Sequence, residues 1–224
     1  MTSPQTTTAQ NYLKELYQLQ QREAGSEPVP LGQLANALCV TPGTATTMVK
    51  RFADDGLMRY TPRRGARLSA KGEKVALAVL RRHRIVETFL VQHLGLDWGE
   101  VHEEAEVLEH AVSDKVLDRL DSLLGHPTAD PHGSPIPPAN GKMQRVAMRP
   151  LSRCKAGQRA TVGRLLNTQP DFLKLAEARG LVPDTPLKII EISDSADAVT
   201  IQVGRRKPTT LGLAAADKVL VIDA

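Results

Sequence analysis

The chain has 224 residues, 41% hydrophobic and 3% aromatic, a size that suits one compact domain with one or two small modules and leaves no stacking platform of the kind single-strand and RNA binders use. No apolar run reaches the roughly 18 residues of a membrane span, and the opening Met-Thr-Ser-Pro-Gln lacks a signal-peptide pattern, so a soluble, cytoplasmic protein without a membrane partner is expected. The net charge of +4 is unevenly spread: residues 1–72 carry 9 Lys/Arg against 5 Asp/Glu, residues 141–224 carry 14 against 8, and the His-bearing middle, 73–140, carries 6 against 12. Such a pattern suggests phosphates as partners of the first module and cations as partners of the second.

In chain order, Tyr12, Leu13, Leu16, Tyr17 and Leu19 recur at helical spacing and predict an amphipathic helix over Ala9–Gln21. A short helix over Leu31–Leu38 follows, and Thr41-Pro42 supplies a cap and a first-turn proline for a third helix running to about Asp55. Gly56 stops it. Leu57–Tyr60 and Ala66–Leu68 then predict a two-stranded hairpin around Pro62–Gly65. Helix, helix-turn-helix, hairpin is the order of a winged helix. Its small core is expected from Leu34, Ala35, Leu38, Val49, Phe52 and Leu57.

A long helix is predicted over Glu73–Leu94, then helices over Val101–Val112 and Ser113–Leu124, the last opened by a serine cap. The proline- and glycine-rich run from Gly125 to Gly141 sustains neither helix nor central strand and is read as a domain boundary. Beyond it, short alternating runs at Arg159–Gly163, Leu187–Ile192, Val199–Val203 and Val219–Ile222, with one helix over Asp171–Arg179, predict a small β-barrel. The fold class is thus mainly α with a β module. The expected domains are a winged helix (1–72), a helical metal-binding and dimerisation domain (73–140), a linker (141–150) and an SH3-like, FeoA-like domain (151–224). Cys39 and Cys154 stand far apart in no metal-binding spacing and are expected to be small buried hydrophobes.

DNA contacts are expected from Thr41, Pro42, Gly43, Thr44, Thr46, Thr47, Lys50 and Arg51, because hydroxyls can donate to phosphates and methyls can touch thymine. Arg63, Arg64 and Arg67 lie where a wing meets a phosphate backbone or narrow minor groove. His83 and Glu87 are spaced i, i+4. Glu106, Glu109 and His110 share a second helical face, with His102 one turn before them. This nitrogen and oxygen donor set suits Mn²⁺ or Fe²⁺, with Zn²⁺ and other divalent ions able to bind in vitro. Carboxylates so crowded repel without a cation, and a cation removes that cost. No HExxH motif or comparable arrangement supports a metallohydrolase, so no enzyme activity and no small organic substrate are expected. The remaining alternative is a winged-helix regulator whose acidic middle is only a dimer scaffold.

These residues resemble the diphtheria toxin repressor family of metal-dependent transcriptional regulators, in its manganese-responsive branch. The resemblance is carried by Asn11-Tyr-Leu-Lys-Glu-Leu-Tyr17, Thr41-Pro-Gly-Thr-Ala-Thr-Thr-Met-Val49 with Asp55-Gly-Leu57, Arg82-His-Arg-Ile-Val-Glu-Thr-Phe-Leu90, Val101-His-Glu-Glu-Ala-Glu-Val-Leu-Glu-His-Ala-Val-Ser-Asp114 and Asp130-Pro-His-Gly-Ser-Pro-Ile-Pro137. It implies one metal site of His83, Glu87 and His102, and another of Glu106, Glu109 and His110 with Asn11. Asn11 stands where members commonly have methionine or aspartate and offers a carbonyl without charge. Glu106 replaces the cysteine of iron-responsive members, which implies manganese before iron. The glutamate and glutamine that the barrel supplies in some members fall at Arg164 and Asn167, so no barrel ligand is expected. The resemblance further implies a homodimeric repressor of metal-uptake or homeostasis genes, bound to a palindromic double-stranded operator in its metal-loaded form.

Overall fold

The computed structural model describes residues 6–22, 27–141, 143, 146–166 and 169–223. Its backbone forms two compact units, Met1–Arg82 with Pro137–Lys142, and His83–Ile136 with Met143–Ala224.

The first unit opens with helix α1 (Thr7–Arg22), followed by α2 (Leu31–Ala37), α3 (Pro42–Asp54) and the antiparallel strands β1 (Met58–Thr61) and β2 (Gly65–Leu68). Thr41 Oγ1 accepts the Thr44 N–H at 3.2 Å and Pro42 occupies the first turn, which starts α3 where the sequence requires. Leu13, Leu16, Leu34, Ala35, Ala45, Val49, Phe52, Leu57 and Ala66 are buried, and the Tyr12 and Phe52 rings pack 5.4 Å apart. Leu38, expected in this core, is only partly buried. Val29 adds a short third rung to the hairpin by exchanging two 2.9 Å hydrogen bonds with Ala66. Gly65 permits this approach: it has φ +128, and a Cβ there would lie 2.0 Å from the Val29 carbonyl oxygen.

Helix α4 (Ala70–Leu94) begins three residues before its expected start, because Ser69 caps it. The Ser69 hydroxyl accepts the Gly72 N–H at 3.0 Å, and its carbonyl accepts the Glu73 N–H at 2.8 Å. The boundary between the two units falls inside α4.

In the second unit, α5 (Val101–Leu108) is shorter than the sequence predicts, and α6 (Asp114–Leu123) follows. Ser113 accepts the Val116 N–H and caps α6 as a separate helix, with α5 ending at Leu108 before it. The C-terminal part of α4 packs on this pair through Val86, Leu90, Val101 and Ala105, and through Ile85, Leu117 and Ile136.

Residues 125–141 form neither helix nor strand, as expected, yet the run is more than a boundary. Asp130, His132, Ser134 and Ile136 are buried, and the Ile136 N–H bonds the Thr128 carbonyl at 2.8 Å.

The remainder is a six-stranded antiparallel sheet in the order β3 (Arg149–Pro150), β8 (Val219–Asp223), β4 (Arg159–Leu165), β5 (Pro186–Ser193), β6 (Ala198–Val203), β7 (Thr209–Gly212). Helix α7 (Pro170–Ala178) and the four-residue α8 (Leu213–Ala216) accompany it. Breaks in register at Val162/Arg164 and Ile189/Glu191 bend the sheet around a core that includes Val162, Leu173, Ile189, Ile201 and Val221. Strand β7 and helix α8 were not expected from the sequence. Cys154 is buried as expected, but Cys39 is exposed: it holds φ +53 in the turn between α2 and α3, outside the core.

Candidate metal centre and nucleic-acid interface

His83 is the first residue of the second unit's share of α4, and its i, i+4 neighbour Glu87 lies on the same face; both are nearly sealed from solvent. His102 and Glu106, on α5, repeat that spacing. His83 Nε2 lies 2.9 Å from Glu87 Oε1 and 3.1 Å from His102 Nδ1, and His102 Nδ1 lies 3.1 Å from the same Glu87 oxygen. These three donor atoms form a nearly equilateral triangle. Neighbouring ligands at right angles on an ion with bonds of about 2.1 Å stand about 3.0 Å apart. The residues therefore fit a divalent cation: two imidazole nitrogens and a carboxylate oxygen already hold ligand-to-ligand spacing.

On the other side of the ring, His83 Nδ1 meets Glu109 Oε2 at 2.6 Å, with Glu106 Oε1 at 3.7 Å. Glu106 Oε1 is 3.6 Å from His102 Nε2, and Glu109 Oε1 is 3.2 Å from His110 Nε2. No gap separates the two expected ligand sets, because His83 touches members of both. Glu109 and His110 come from the turn that ends α5 and not from its face, and Glu109 is fully buried. Asn11, on α1 of the first unit, has a buried amide oxygen without a hydrogen-bond partner. Arg164 lies on β4, and Asn167 lies outside the described residues.

Burial alone would raise the Glu87 carboxyl, but the charge of His83 and hydrogen bonds from His102 and His83 outweigh it and hold the group well below the usual carboxylate range. Asp130 goes the other way. Burial and the nearby Glu87 charge push its carboxyl up, against the opposing pull of Arg84 and His132 and a backbone hydrogen bond at Ser134. Asp130 and His132 were not singled out as site residues from the sequence. A histidine and an aspartate inside a run otherwise made of turn formers were the available signal.

At the candidate DNA face, Thr41, Pro42, Gly43, Thr44, Thr47, Lys50 and Arg51 are exposed and Thr46 is partly so. The threonine hydroxyls are engaged within the helix. Thr46 Oγ1 donates to the Pro42 carbonyl at 2.7 Å, Thr47 Oγ1 to the Gly43 carbonyl at 3.0 Å, and the Thr41 and Thr44 hydroxyls bond each other at 2.9 Å. The chemistry this leaves outward is lone pairs, methyl groups and the two cations. In the hairpin, Arg63 and Arg64 are exposed and Arg67 is partly buried. Arg64 pairs with Glu27, and Arg63 holds the turn at φ +64.

A winged helix followed by a helical module with a His/carboxylate cluster defines a metal-responsive DNA-binding regulator, and the comparisons agree. Residues 5–66 match the model of the iron dependent repressor N-terminal DNA binding domain, residues 69–138 that of its metal binding and dimerisation domain, and residues 149–223 the FeoA domain. The chain is 31% identical over 214 residues to the iron-dependent repressor IdeR of Mycobacterium leprae, covering 90% of this chain and 91% of that protein. With the IdeR of Mycobacterium tuberculosis it shares 40% identity over 130 residues, 58% of this chain and 55% of that protein. A solved structure described as a manganese-dependent transcriptional repressor in complex with manganese superposes with a TM-score of 0.86 at 35% identity, covering 96% of this chain and 99% of that one. The chain belongs to the iron-dependent repressor family that includes the diphtheria toxin repressors, whose members are DNA-binding transcriptional repressors and not enzymes.

Proposed function

We propose that the chain is a manganese-dependent repressor that acts in the cytoplasm as a homodimer on palindromic operators of metal-ion uptake or homeostasis genes. The observation that carries this reading is the triangle of His83 Nε2, Glu87 Oε1 and His102 Nδ1, with sides of 2.9 to 3.1 Å. His83, Glu87 and His102 are assigned to one cation, and Glu106, Glu109 and His110 to another. Asn11 is assigned the same role of donor, which its unpartnered amide oxygen suits chemically.

A bound cation neutralises carboxylates that otherwise repel, and so favours the arrangement in which they are close. Glu106 makes the second set a hard one, without thiolate, which supports Mn²⁺ over softer ions. Thr41–Arg51 presents the recognition helix, while Lys50, Arg51, Arg63 and Arg67 supply phosphate contacts that position without reading sequence. For the dimer, the support is exposed apolar surface on the helical module, where Val107 is 70% and Leu123 59% accessible.

Operator affinity titrated with Mn²⁺, anaerobic Fe²⁺ and Zn²⁺ at fixed salt tests the reading. Manganese alone should activate at low micromolar levels or below, and Glu106→Ala should abolish the response. Undiminished Mn²⁺-stimulated operator retention in Glu106→Ala refutes the assignment. Activation by Fe²⁺ in preference favours the second reading, an iron-dependent regulator, which the names of the mycobacterial relatives support.

A further inference from the structure

The ligand-bearing helices α4 and α5 are joined by residues 95–100, and each end of that connector is tied to its helix. At the α4 end Gly95 takes φ +69, its N–H bonds the Val91 carbonyl at 3.2 Å, and the Leu96 N–H bonds the Leu90 carbonyl at 3.1 Å. At the α5 end the Asp97 carbonyl accepts the Glu100 and Val101 N–H groups, each at 3.1 Å, and Asp97 Oδ1 accepts the Gly99 N–H at 2.8 Å. The path of the connector therefore sets where α5 starts relative to the end of α4.

Its two large apolar side chains go to different cores. Leu96 packs with Val86, Leu90, Val101 and Ala105, between the helices. Trp98, the single tryptophan of the chain, packs against the barrel core, the cluster that holds Val162, Leu165, Phe172 and Leu173. Beside it Gly99 lies flush with Pro170 at the start of α7, where a Cβ on the glycine would stand 3.0 Å from the proline Cβ. The Trp98 ring also meets the His132 ring edge-on, with centroids 5.5 Å apart, and the His132 carbonyl accepts the Leu165 N–H of β4 at 2.9 Å.

A seated tryptophan buries on the order of 150–250 Å² and has only two side-chain torsions to fix, so it anchors a short loop at small entropic cost. The helices are already joined by the Leu96 cluster; what the anchor adds is a fixed position. His83 and Glu87 lie on α4, and His102 and Glu106 on α5. A ligand triangle with sides of 2.9 to 3.1 Å keeps its spacing only while those two helices keep theirs.

We propose that Trp98 is a positioning residue for the metal centre: by docking the α4–α5 connector on the barrel it holds the two ligand-bearing helices at cation spacing, so that the barrel tunes metal affinity through an apolar contact. The proposal rests on the reading that His83, Glu87 and His102 ligate a cation. Support from outside the coordination sphere is worth roughly 10–100-fold in affinity.

The test is calorimetric Mn²⁺ titration of the full chain as the parent and as Trp98→Phe, Trp98→Leu, Trp98→Ala and Ile201→Ala. Ile201 belongs to the same barrel core but lies on β6, two strands from β4, so its variant measures what a barrel cavity does by itself. Trp98→Ala should weaken Mn²⁺ binding by about tenfold or more. Trp98→Phe, which keeps an aromatic anchor, should restore most of the loss, Trp98→Leu should fall between them, and Ile201→Ala should bind as the parent does. Parent affinity in all the Trp98 variants, or an equal loss in Ile201→Ala, overturns the proposal and leaves the regulator reading intact. A parent that takes up no Mn²⁺ overturns both. Should Trp98→Ala fail to fold, Trp98→Leu and Trp98→Phe decide, and equal affinity for these two and the parent overturns the proposal. Acrylamide quenching of the parent in chelator gives a check that involves no metal: a Trp98 ring as open to quencher as free indole removes the anchor.

Discussion

Replacing His83 with alanine should destabilise the metal-free chain by about 3 kcal/mol, the lower end of the range for breaking a buried ion pair. The magnitude follows from what the ring touches. His83 is the common partner of Glu87 at 2.9 Å and Glu109 at 2.6 Å, and those carboxylates are 3% and 0% exposed. Without the imidazole each must either stay charged in a dry site or take up a proton, and the void left by the ring adds lost packing. Water entering that void is the reason for choosing the low end. For a chain of this size the loss corresponds to roughly 6–12 °C in Tm. Thermal and urea unfolding in excess chelator measure it, so that metal binding does not enter. A second scan at saturating Mn²⁺ should show the stabilisation that the parent gains on loading, about 2.7 kcal/mol at a hundred times Kd, largely lost in the variant. A change below about 1 kcal/mol in chelator would mean that the two carboxylates do not depend on His83, and the cluster would have to be redrawn.

Four further substitutions probe the loop and the DNA face. Gly133→Ala forces a Cβ into the Gly163 carbonyl at a φ of +83 and should cost about 3 kcal/mol or more in thermal unfolding; a near-neutral variant contradicts the close approach. On DNA, Lys50→Ala and Arg63→Ala should each weaken binding evenly across operator sequences and reduce the slope of log K against log salt by about 0.9. Arg64→Ala should change the slope less, since Glu27 already pairs with that guanidinium. Equal slopes for the parent and all three variants remove the wing and helix from the phosphate contacts.

Much of the winged helix was legible because its signals are local. Thr41 and Pro42 fix the start of α3, Gly56 its end, and the hairpin brackets a short turn. The pairing of His83 with Glu87 was equally legible, since i, i+4 spacing is a property of one helix. What failed depended on the rest of the fold. Glu109 and His110 were placed on a continuing helix, yet the Ser113 cap ends α5 at Leu108. The threonines of α3 were read as donors to phosphate or as contacts for thymine methyls; the local bonding of Thr46 and Thr47, whose hydroxyls turn back onto carbonyls four residues earlier, was not part of that reading. The loop 130–134 looked like punctuation from its composition. Its burial arises from contacts with β4 and α4 that no short window contains.

Glu109 is where the two ligand sets become one problem. A histidine that gives one ring nitrogen to a metal must carry its proton on the other, and a carboxylate that accepts this proton fixes the tautomer and the ring plane. In this chain Glu109 Oε2, 2.6 Å from His83 Nδ1, is placed to do that while its other oxygen faces His110 at 3.2 Å. Glu109→Gln keeps the shape and can offer its amide oxygen to His83, but it removes the charge. It should therefore lower Mn²⁺ affinity in both phases of a two-site titration, by roughly 10–100-fold at the His83 site and further where Glu109 itself is a ligand. If calorimetric titration shows one phase weakened and the other untouched, the sets are independent and the contact between Glu109 and His83 is structural only. If both move together, His83 and Glu109 carry the coupling between them, and occupancy of one position must alter the affinity of the other by the same factor in each direction.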